Sequence, residues 1–371
     1  MADPHFAHVA GGQAALAAGG PIPTDGPLTP DELQLAARNC GMPLEALRYE
    51  ITPTGLHYLL VHFDIPEIDP QRWRLRVEGS VEHSFALTLA ELQALPRVTI
   101  PVTMECAGNG RARLQPRPIS QPWLNEAVGT AVWTGTPLAG VLARAGIKAG
   151  TVELIFTGAD HGVEKGYEHD FARSLSLSDA TRGDVLLAYE MNGRPLEPQH
   201  GFPVRLLVPG WYGMTQVKWL TRIEAVTEPF AGYQQRIAYF YRSGPDDPGT
   251  PVKRIKPRAL MLPPGFPDFL TRHRIVERGL CEIIGRAWAG SVPIEKVEVG
   301  VDGLWSAAEV SKALGPAAWC GWAWKWMATP GEHILSCRAT DAAGITQPSE
   351  PPWNWQGMGN NQIQSISVSV R

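Results

Sequence analysis

The sequence is poor in cysteine, in charge and in long apolar runs, and each shortage excludes a class of protein. Its 371 residues include five cysteines and no CxxC pair, which excludes a zinc ribbon, a thioredoxin-like motif and c-type haem attachment. Charged residues make up 19% of the chain and the net charge is −4, so nothing electrostatic favours nucleic-acid binding. No apolar run reaches about 18 residues, so we expect no membrane span.

The N-terminal residues lack the features of a secretory signal. Residues 1–20 are rich in alanine and glycine, without a basic n-region, a compact apolar h-region or a twin arginine. We therefore expect a cytoplasmic protein, or a periplasmic one if a leader has been removed. The odd number of cysteines means that at least one of them has a role other than pairing within the chain.

The length and the order of predicted elements indicate two domains of different architecture. We expect residues 1–50 to form an N-terminal extension that includes a short helix over 31–39. Residues 51–245 alternate strands with short helices, which is typical of a mixed α+β domain. The segment 243–257, with SGPDDPGTP, is the strongest linker signal. Residues 255–371 show short strands at the spacing of an immunoglobulin-like β-sandwich.

Individual elements follow from hydrophobic periodicity and from turn residues. In the first domain we predict helices over 87–95 and 137–145 and strands over 55–65, 72–77, 98–104, 152–156, 186–189 and 204–208. In the second domain we predict strands over 276–288, 294–301, 319–326, 333–339 and 363–370.

Cys106 is the strongest candidate for chemistry. It directly follows a predicted strand and lies in ECAGNGR, where two glycines within four residues let the backbone turn sharply and approach a ligand closely. Arg111 is near enough in sequence to favour the thiolate, the form that binds a metal or attacks carbon. A buried structural cysteine at a strand end is an equally good interpretation of the residues alone.

Two further loops carry polar residues next to predicted strands. His200 and Arg205 flank the entry into the apolar strand RLLVPG, and with Lys218 they would suit an oxyanion. An ordinary exposed pair is the alternative. Asp160, in GADHG, could accept hydrogen bonds from the NH groups of a heterocycle, although an Asx turn would explain it equally simply.

Taken together, these motifs resemble the sulfite oxidase family of molybdenum enzymes. Cys106 in CAGN, with an arginine two residues further on, is similar to the metal-ligand loop of that family, and LLAYEMNG, HGFPVR and VKWL follow at fitting distances. The second domain is similar to the family in VEVGVDG, RATDAAG and WNWQGMGNN. The resemblance covers residues 50–371.

The resemblance implies a molybdenum–molybdopterin cofactor, one per chain and without haem, whose metal is bound by the Cys106 thiolate. It implies that seven positions contact the pterin: His62, Asp160, His200, Arg205, Gln216, Val217 and Lys218. It further implies oxygen-atom transfer, with electrons passing to a separate acceptor protein or small acceptor. A homodimer formed through the second domain is also implied.

For the substrate pocket the resemblance implies a tyrosine near the metal, for which Tyr239 is the best match and Tyr241 a close competitor. Arg111 matches an anion-binding arginine of the family. A second arginine is expected at position 60, where this chain has Leu60, and the C-terminal segment offers glutamines instead of a third. Neutral groups weaken the binding of a dianion. We expect sulfite or a related small oxyanion, S-oxide or N-oxide as substrate, and the missing charges leave the choice among them open.

Two other functions are compatible with the residues. A cysteine hydrolase would use Cys106 as nucleophile, His200 as base and Asp160 as the orienting group. A non-enzymatic protein would use the first domain only to scaffold the sandwich. Cys281 and Cys337 have the general spacing of an immunoglobulin disulfide, but a reducing cytoplasm would not preserve that bond.

Overall fold

The computed structural model describes residues 23–290 and 292–371. Residues 1–22 lie outside these described residues. They begin the predicted N-terminal extension and include the segment 1–20 that was considered as a secretory signal. Within them the chain forms two five-stranded sheets, a four-stranded sheet, a six-stranded sheet and two short two-stranded ribbons. No helix in this part of the chain is both long and apolar enough to cross a membrane.

The first part of the chain mixes strands with short helices. Its strands are β1 (Pro23–Thr24), β2 (Leu75–Gly79), β3 (Phe85–Leu87), β4 (Val98–Glu105), β5 (Arg117–Pro118), β6 (Val128–Pro137), β7 (Glu153–Glu164), β8 (Tyr167–Ser176), β9 (Leu186–Met191), β10 (Arg194–Pro195), β11 (Arg205–Leu207), β12 (Leu220–Val226), β13 (Phe240–Tyr241) and β14 (Thr250–Pro251). Its α-helices are α1 (Pro30–Arg38), α2 (Leu89–Gln93), α3 (Leu138–Ala145), α4 (Leu177–Ala180) and α5 (Tyr233–Arg236). Single turns of 3₁₀-helix cover Leu44–Arg48, Thr54–Leu56, Arg111–Arg113, Pro198–His200 and Gly213–Thr215.

The two five-stranded sheets carry the elements of the candidate site. One has the order β10-β9-β6-β4, with β11 also paired to β9, and its ladders are antiparallel. The other has the order β3-β2-β12-β7-β8, in which β2 and β12 run parallel. Three of the five α-helices in the described residues begin at a side-chain cap, as in α1, where Thr29 and Glu32 form a capping box. This architecture confirms the predicted mixed α+β class.

The second part of the chain is built from strands. They are β15 (Arg258–Met261), β16 (Phe266–Pro267), β17 (Arg274–Val276), β18 (Gly279–Trp288), β19 (Ile294–Val301), β20 (Leu304–Ala307), β21 (Glu309–Val310), β22 (Cys320–Ala328), β23 (Gly331–Asp341) and β24 (Gln364–Val370). Sheets of order β15-β18-β22-β21 and β16-β17-β24-β23-β19-β20 enclose a separate apolar core that includes Val297, Leu335 and Val368. The prediction of an immunoglobulin-like sandwich is confirmed.

The two parts pack tightly against each other next to Cys106. Glu105, the last residue of β4, has a buried carboxylate that meets Arg258 Nε at 2.9 Å. The same carboxylate accepts a hydrogen bond from Trp288 Nε1 at 2.8 Å. One hydrophobic cluster includes Trp288 and Trp319 together with residues of the first part. The sandwich therefore holds β4 in place, the strand that ends directly before the candidate metal ligand Cys106.

One predicted strand is wrong. Residues 55–65 form a 3₁₀ turn and an irregular segment, with one isolated bridge between Leu59 and Cys40. Val61 N donates to the side chain of Asn39, the residue that ends α1, at 2.8 Å. The segment is apolar enough for a strand, but α1 and its flank satisfy its backbone in place of a sheet neighbour.

Other differences concern length and pairing. The strand predicted over 152–156 continues as β7 to Glu164 and turns into β8, so a long hairpin replaces a short strand. All five cysteines are free, and Cys281 and Cys337 lie in opposite sheets of the sandwich, on β18 and β23. The immunoglobulin-like disulfide is therefore not formed.

Candidate active site

A narrow cleft that opens to solvent lies between the two five-stranded sheets, and the empty space in and above it amounts to about 640 Å³. Eight of the ten predicted site residues line it: His62, Cys106, Asp160, His200, Arg205, Gln216, Lys218 and Tyr239. Arg111 and Val217 do not line it. Residues that are up to 177 positions apart in sequence are thus brought to one place, as the hydrogen bond between His62 and Tyr239 illustrates.

The loop after β4 presents the Cys106 sulfur to this cleft. The side chain of Asn109 fixes the loop, because its Nδ2 donates to Glu105 Oε1 at 3.0 Å and its Oδ1 accepts from Ala127 N at 3.1 Å. Gly108 N donates to Cys106 Sγ at 3.4 Å. The loop's own hydrogen bonds therefore fix the position of the sulfur.

Burial dominates the acidity of Cys106. It raises the pKa of the thiol above its ordinary value, while the nearby Arg111 charge and the Gly108 N–H oppose the rise. Arg111 thus favours the thiolate, as expected, but burial has the larger effect on the pKa. A buried thiol of this kind ligates a soft metal by giving up its proton on binding.

Arg111 lies behind the loop rather than in the cleft. Its Nε donates to Gln356 O at 3.3 Å, Nη1 to Gln121 O at 3.2 Å, and Nη2 to Met358 Sδ at 3.3 Å. The guanidinium covers Gly108, where an added Cβ would lie 2.7 Å from it. Each nitrogen thus already has a neutral partner in the protein.

Val217 also stays out of the cleft. Its N–H donates to Thr215 O at 3.0 Å, and its carbonyl accepts from Leu206 N at 2.8 Å. Gln216 does line the cleft and holds the backbone around it, donating from Nε2 to Val208 O at 2.8 Å. The predicted backbone contact to the pterin at 217 has no support from these bonds, since both polar groups are already used.

Several charged and polar side chains line the cleft, and some of their buried atoms have no hydrogen-bond partner. Arg205 donates from Nη1 to His200 O at 3.0 Å and from Nη2 to Gln216 O at 3.1 Å, but its buried Nε has no partner. Asp160 Oδ1 is also buried without a partner. Lys218 Nζ donates to Leu60 O at 2.8 Å. Native proteins rarely leave such atoms unpaired, so they indicate a polar ligand.

The acid–base properties of these groups follow mainly from burial. It lowers the pKa of Lys218 to about 7, with help from Arg205, and raises that of Asp160 to about 7. Burial lowers the pKa of His200 to about 3 and that of His57 to about 4. Both imidazoles are therefore neutral at physiological pH and offer one donor and one acceptor each.

The structure favours Tyr239 over Tyr241 as the tyrosine of the cleft. Tyr239 Oη lies 2.8 Å from His62 Nε2, and burial raises its pKa well above the ordinary value, so the phenol stays protonated. Burial lowers the pKa of His62, which makes it a neutral partner. Tyr241 packs instead against Gly359, with the Lys256 ammonium 4.7 Å from its ring centroid.

Sequence reasoning missed several residues of the cleft, among them His57, Tyr58, Phe171 and Gln199. The first two lie in the segment wrongly predicted as a strand, where HYLLVH carries a histidine at each end. Phe171 lies on β8, which was not predicted. The histidines stand at the ends of the apolar run, so the pattern of 57–62 itself contains no signal for a loop.

The contacts do not form the machinery of a cysteine hydrolase. Among the hydrogen bonds of residues 23–290 and 292–371, none joins Cys106 to His200 or His200 to Asp160. A thiol with a raised pKa is also a poor nucleophile near neutral pH. The geometry therefore lacks the nucleophile, base and orienting chain that this hypothesis requires.

Comparison with known families assigns both parts of the chain. The model of the oxidoreductase molybdopterin binding domain matches residues 62–234, and that of the Mo-co oxidoreductase dimerisation domain matches residues 269–371. Fold and site together thus define the class as an oxidoreductase that binds molybdopterin.

Known proteins narrow the class to a family. Sulfite oxidase of Gallus gallus is 33% identical over 86% of this chain and 73% of its own length. Nitrate reductase [NADH] 1 of Oryza sativa subsp. japonica is 32% identical over 90% of this chain, and mitochondrial sulfite oxidase of Mus musculus 34% identical over 86%. The chain belongs to the sulfite oxidase family of molybdenum-cofactor oxidoreductases. It spans 40% and 62% of the latter two relatives.

A solved structure supports the same assignment. The crystal structure of the sulfane dehydrogenase SoxCD from Paracoccus pantotrophus matches with a TM-score of 0.78 and 27% identity. The match covers 89% of this chain and 86% of that one. The likeness therefore extends over both parts of the chain.

The residues present fit a molybdopterin. The unpartnered Arg205 Nε–H is a free donor and Asp160 Oδ1 a free acceptor in the same cleft, which match the acceptor and donor atoms of a heterocycle. Cys106 supplies a soft thiol. In the described part of the chain, no three His, Cys, Asp or Glu side chains group as metal ligands.

Proposed function

We propose that this chain is an oxygen-atom-transferring oxidoreductase of sulfite oxidase type that binds one molybdenum–molybdopterin cofactor per chain, without haem. The observation that carries the proposal is the convergence of Cys106, the free Arg205 Nε–H and the free Asp160 Oδ1 in one cleft. Sulfite or a related small S-oxo or N-oxo compound is the proposed substrate. Family membership supports the reaction class.

Each residue would act on the bound cofactor through the group that the structure leaves available. The cofactor supplies the oxygen-atom transfer and the two-electron redox change. Cys106 would lose its thiol proton and ligate the metal, while Lys218 and Arg205 would offset the charge of the phosphate. His200 would stay neutral and hydrogen-bond as an uncharged imidazole. Asp160 would accept a hydrogen bond from a ring NH.

Tyr239 would act on the substrate side. His62 holds its hydroxyl at 2.8 Å, and the raised pKa keeps the phenolic proton in place. The hydroxyl can therefore donate a hydrogen bond to a substrate oxygen without losing its proton, which stabilises negative charge on that oxygen. Arg111 would act on the same region through its charge, since its nitrogens donate to protein atoms.

We further infer the surroundings in which this reaction takes place. Electrons would leave singly to a separate acceptor protein or small acceptor. The match to a dimerisation domain supports a homodimer formed through residues 269–371. Five unpaired cysteines favour a reducing, cytoplasmic location.

A Cys106→Ser variant tests the proposal. We expect wild-type protein from molybdenum-replete cells to contain about one metal and one pterin per chain. It should oxidise sulfite, or reduce an S-oxide or N-oxide, with a dye as redox partner. The variant should keep the native circular dichroism spectrum and much of the pterin, and lose turnover, because the hydroxyl is a poor ligand for a soft metal.

Cys320→Ser is the matched control, since Cys320 is buried in the sandwich and far in sequence from the loop. It should retain metal and activity. Full activity in Cys106→Ser would overturn the proposed ligand. Metal-free wild-type protein that is rapidly alkylated at Cys106 near neutral pH would favour the hydrolase hypothesis instead.

A further inference from the structure

The C-terminal segment 354–361 packs directly against the loop after β4. Gly357 has a φ angle of 63°, a left-handed conformation that favours glycine. A Cβ added to this glycine would lie 2.9 Å from Cγ of Arg111, so the two backbones come close together. Asn360 Nδ2 donates a hydrogen bond to Gly110 O at 2.8 Å. These contacts fix the segment relative to the loop.

The side chain of Gln356, in this segment, bridges the backbone on both sides of Tyr239. Its Oε1 accepts a hydrogen bond from Phe240 N at 2.8 Å, and its Nε2 donates one to Ile237 O at 2.7 Å. The side chain is buried. Residues 237–239 lie between α5 and β13, outside regular secondary structure. The amide of Gln356 therefore gives this segment the backbone hydrogen bonds that a neighbouring strand would otherwise supply.

The backbone of Gln356 contacts a second functional group. Its carbonyl oxygen accepts a hydrogen bond from Arg111 Nε at 3.3 Å. The guanidinium of Arg111 in turn covers Gly108 in the loop that presents Cys106. One residue of the C-terminal segment thus bonds both to the backbone around Tyr239 and to the arginine behind the candidate metal ligand.

We propose that Gln356 is a positioning residue for the reaction and holds the Tyr239 hydroxyl in place beside His62 and the substrate. Tyr239 Oη lies 2.8 Å from His62 Nε2. Because the phenol ring is rigid, a shift of the backbone at 237–240 moves the hydroxyl with it. Stabilisation of a transition state depends steeply on such placement. This proposal deepens the proposed function, rests on it, and gives the C-terminal glutamine a role that an arginine could not fill, since a guanidinium cannot accept from Phe240 N.

A double-mutant cycle on the molybdenum-loaded enzyme tests the proposal. We compare wild type, Gln356→Met, Tyr239→Phe and the double variant, with the sulfur or nitrogen oxo compound that the wild type turns over. Tyr239→Phe should lower kcat about a hundredfold, the effect of losing one preorganised donor. Gln356→Met should lower kcat about tenfold in the tyrosine background, because the hydroxyl is misplaced. In the phenylalanine background it should change kcat by less than about twofold, since no hydroxyl is left to position.

Gln364→Met is the matched control, because the buried Gln364 amide forms the same kind of bridge inside the sandwich. Its Oε1 accepts from Met261 N at 2.6 Å, and its Nε2 donates to Met261 O at 3.4 Å. This variant should retain the wild-type kcat. Gln356→Asn, whose amide is one methylene group shorter, should show the same coupling to Tyr239→Phe and serves if Gln356→Met does not fold. Equal losses in both backgrounds, or a tenfold loss in the control, would overturn the proposal.

Fluorine NMR separates this proposal from the proposed function. The chain has eight tyrosines, and in protein labelled with 3-fluorotyrosine the line of Tyr239 is the one that is missing from Tyr239→Phe. This line should coincide in wild type and Gln364→Met and should shift in Gln356→Met. An unshifted line in Gln356→Met would overturn the role of Gln356. If wild type turned over no such oxo compound, the proposed function would fail, and the spectra would still decide whether Gln356 positions Tyr239.

Discussion

Leu60 shows how one side chain can bias the choice of substrate. It lines the cleft beside His62, and its carbonyl oxygen accepts a hydrogen bond from Lys218 Nζ at 2.8 Å. The backbone at this position therefore already binds a cation. The side chain itself adds only apolar surface. An oxyanion at this wall gains no charge pairing from it, and a weakly charged or neutral oxo compound loses nothing.

Replacing Leu60 by arginine should therefore improve the use of sulfite. We expect Leu60→Arg to lower KM for sulfite about tenfold, because a guanidinium in a desolvated cleft pairs strongly with an oxyanion. Leu60→Gln, which is polar but uncharged, is the matched control. Steady-state kinetics that gave both variants the same KM would contradict the argument from charge.

Much of the site could be predicted at the level of single residues, for an identifiable reason. Cys106, His200 and Arg205 lie in short motifs whose glycines, prolines and charges are informative by themselves. Phe171 could not be found in this way, because it lies on the second strand of a hairpin that was not predicted. Arg111 was predicted in the pocket, whereas two of its nitrogens bind Gln356 and Met358 in the C-terminal segment, up to 247 residues away.

Among the elements, β4 depends most on the second part of the chain. Its last residue, Glu105, meets Arg258 and Trp288 from the sandwich, and all three are almost fully buried. Gly359 N also donates a hydrogen bond at 2.6 Å to the carbonyl oxygen of Ala107, the residue that follows Cys106. The sandwich therefore helps to shape the ligand loop, in addition to any part it plays in dimerisation.

Removing one member of this buried ion pair should be more harmful than removing both. We expect Arg258→Met to lower the free energy of unfolding by about 3–5 kcal/mol, because Glu105 keeps a buried charge without its partner. The double variant Glu105→Gln with Arg258→Met should recover part of the loss. Urea denaturation of the three proteins measures this, and a double variant less stable than Arg258→Met would contradict the pairing.

At the scale of the whole molecule, buried titratable groups of the cleft make the free energy of unfolding depend on pH. His200 has a folded pKa of about 3 and an ordinary value of 6.5, so the unfolded chain binds more protons between these limits. The contribution of His200 to the free energy of unfolding is fully present above about pH 6.5 and is lost as the pH falls towards 3. His57, with a folded pKa of about 4, acts in the same sense, whereas Asp160 acts in the opposite sense below about pH 7.

A His200→Gln variant isolates this effect. Between pH 4.5 and 6, at about the middle of the window, its unfolding free energy should depend on pH less steeply than that of wild type. The expected difference in slope is about 1.4 kcal/mol per pH unit, the value for one proton. Urea denaturation of the cofactor-free proteins across this range provides the measurement, and parallel slopes would show that His200 titrates normally in the folded state.

At the scale of the whole fold, the sandwich was easier to predict than the cofactor-binding part. Its strands, such as β18 over Gly279–Trp288, alternate clearly because one face packs on a core and the other is more exposed. The segment 57–62 is apolar because it walls a cleft, and periodicity cannot distinguish a cleft wall from a sheet. The predicted strand there failed for that reason.

The hydrogen bond from Val61 to Asn39 gives the start of the described chain an unexpected importance. The wall that carries His57 and His62 is fastened to the end of α1, and Glu32 of that helix forms a buried ion pair with Arg117 at 2.7 Å. A fragment cut at residue 51, where the first domain is predicted to begin, would keep every candidate ligand. It would lack the contact with α1 that holds one wall of the cleft in place. Its binding site would therefore open although no contact residue had been removed.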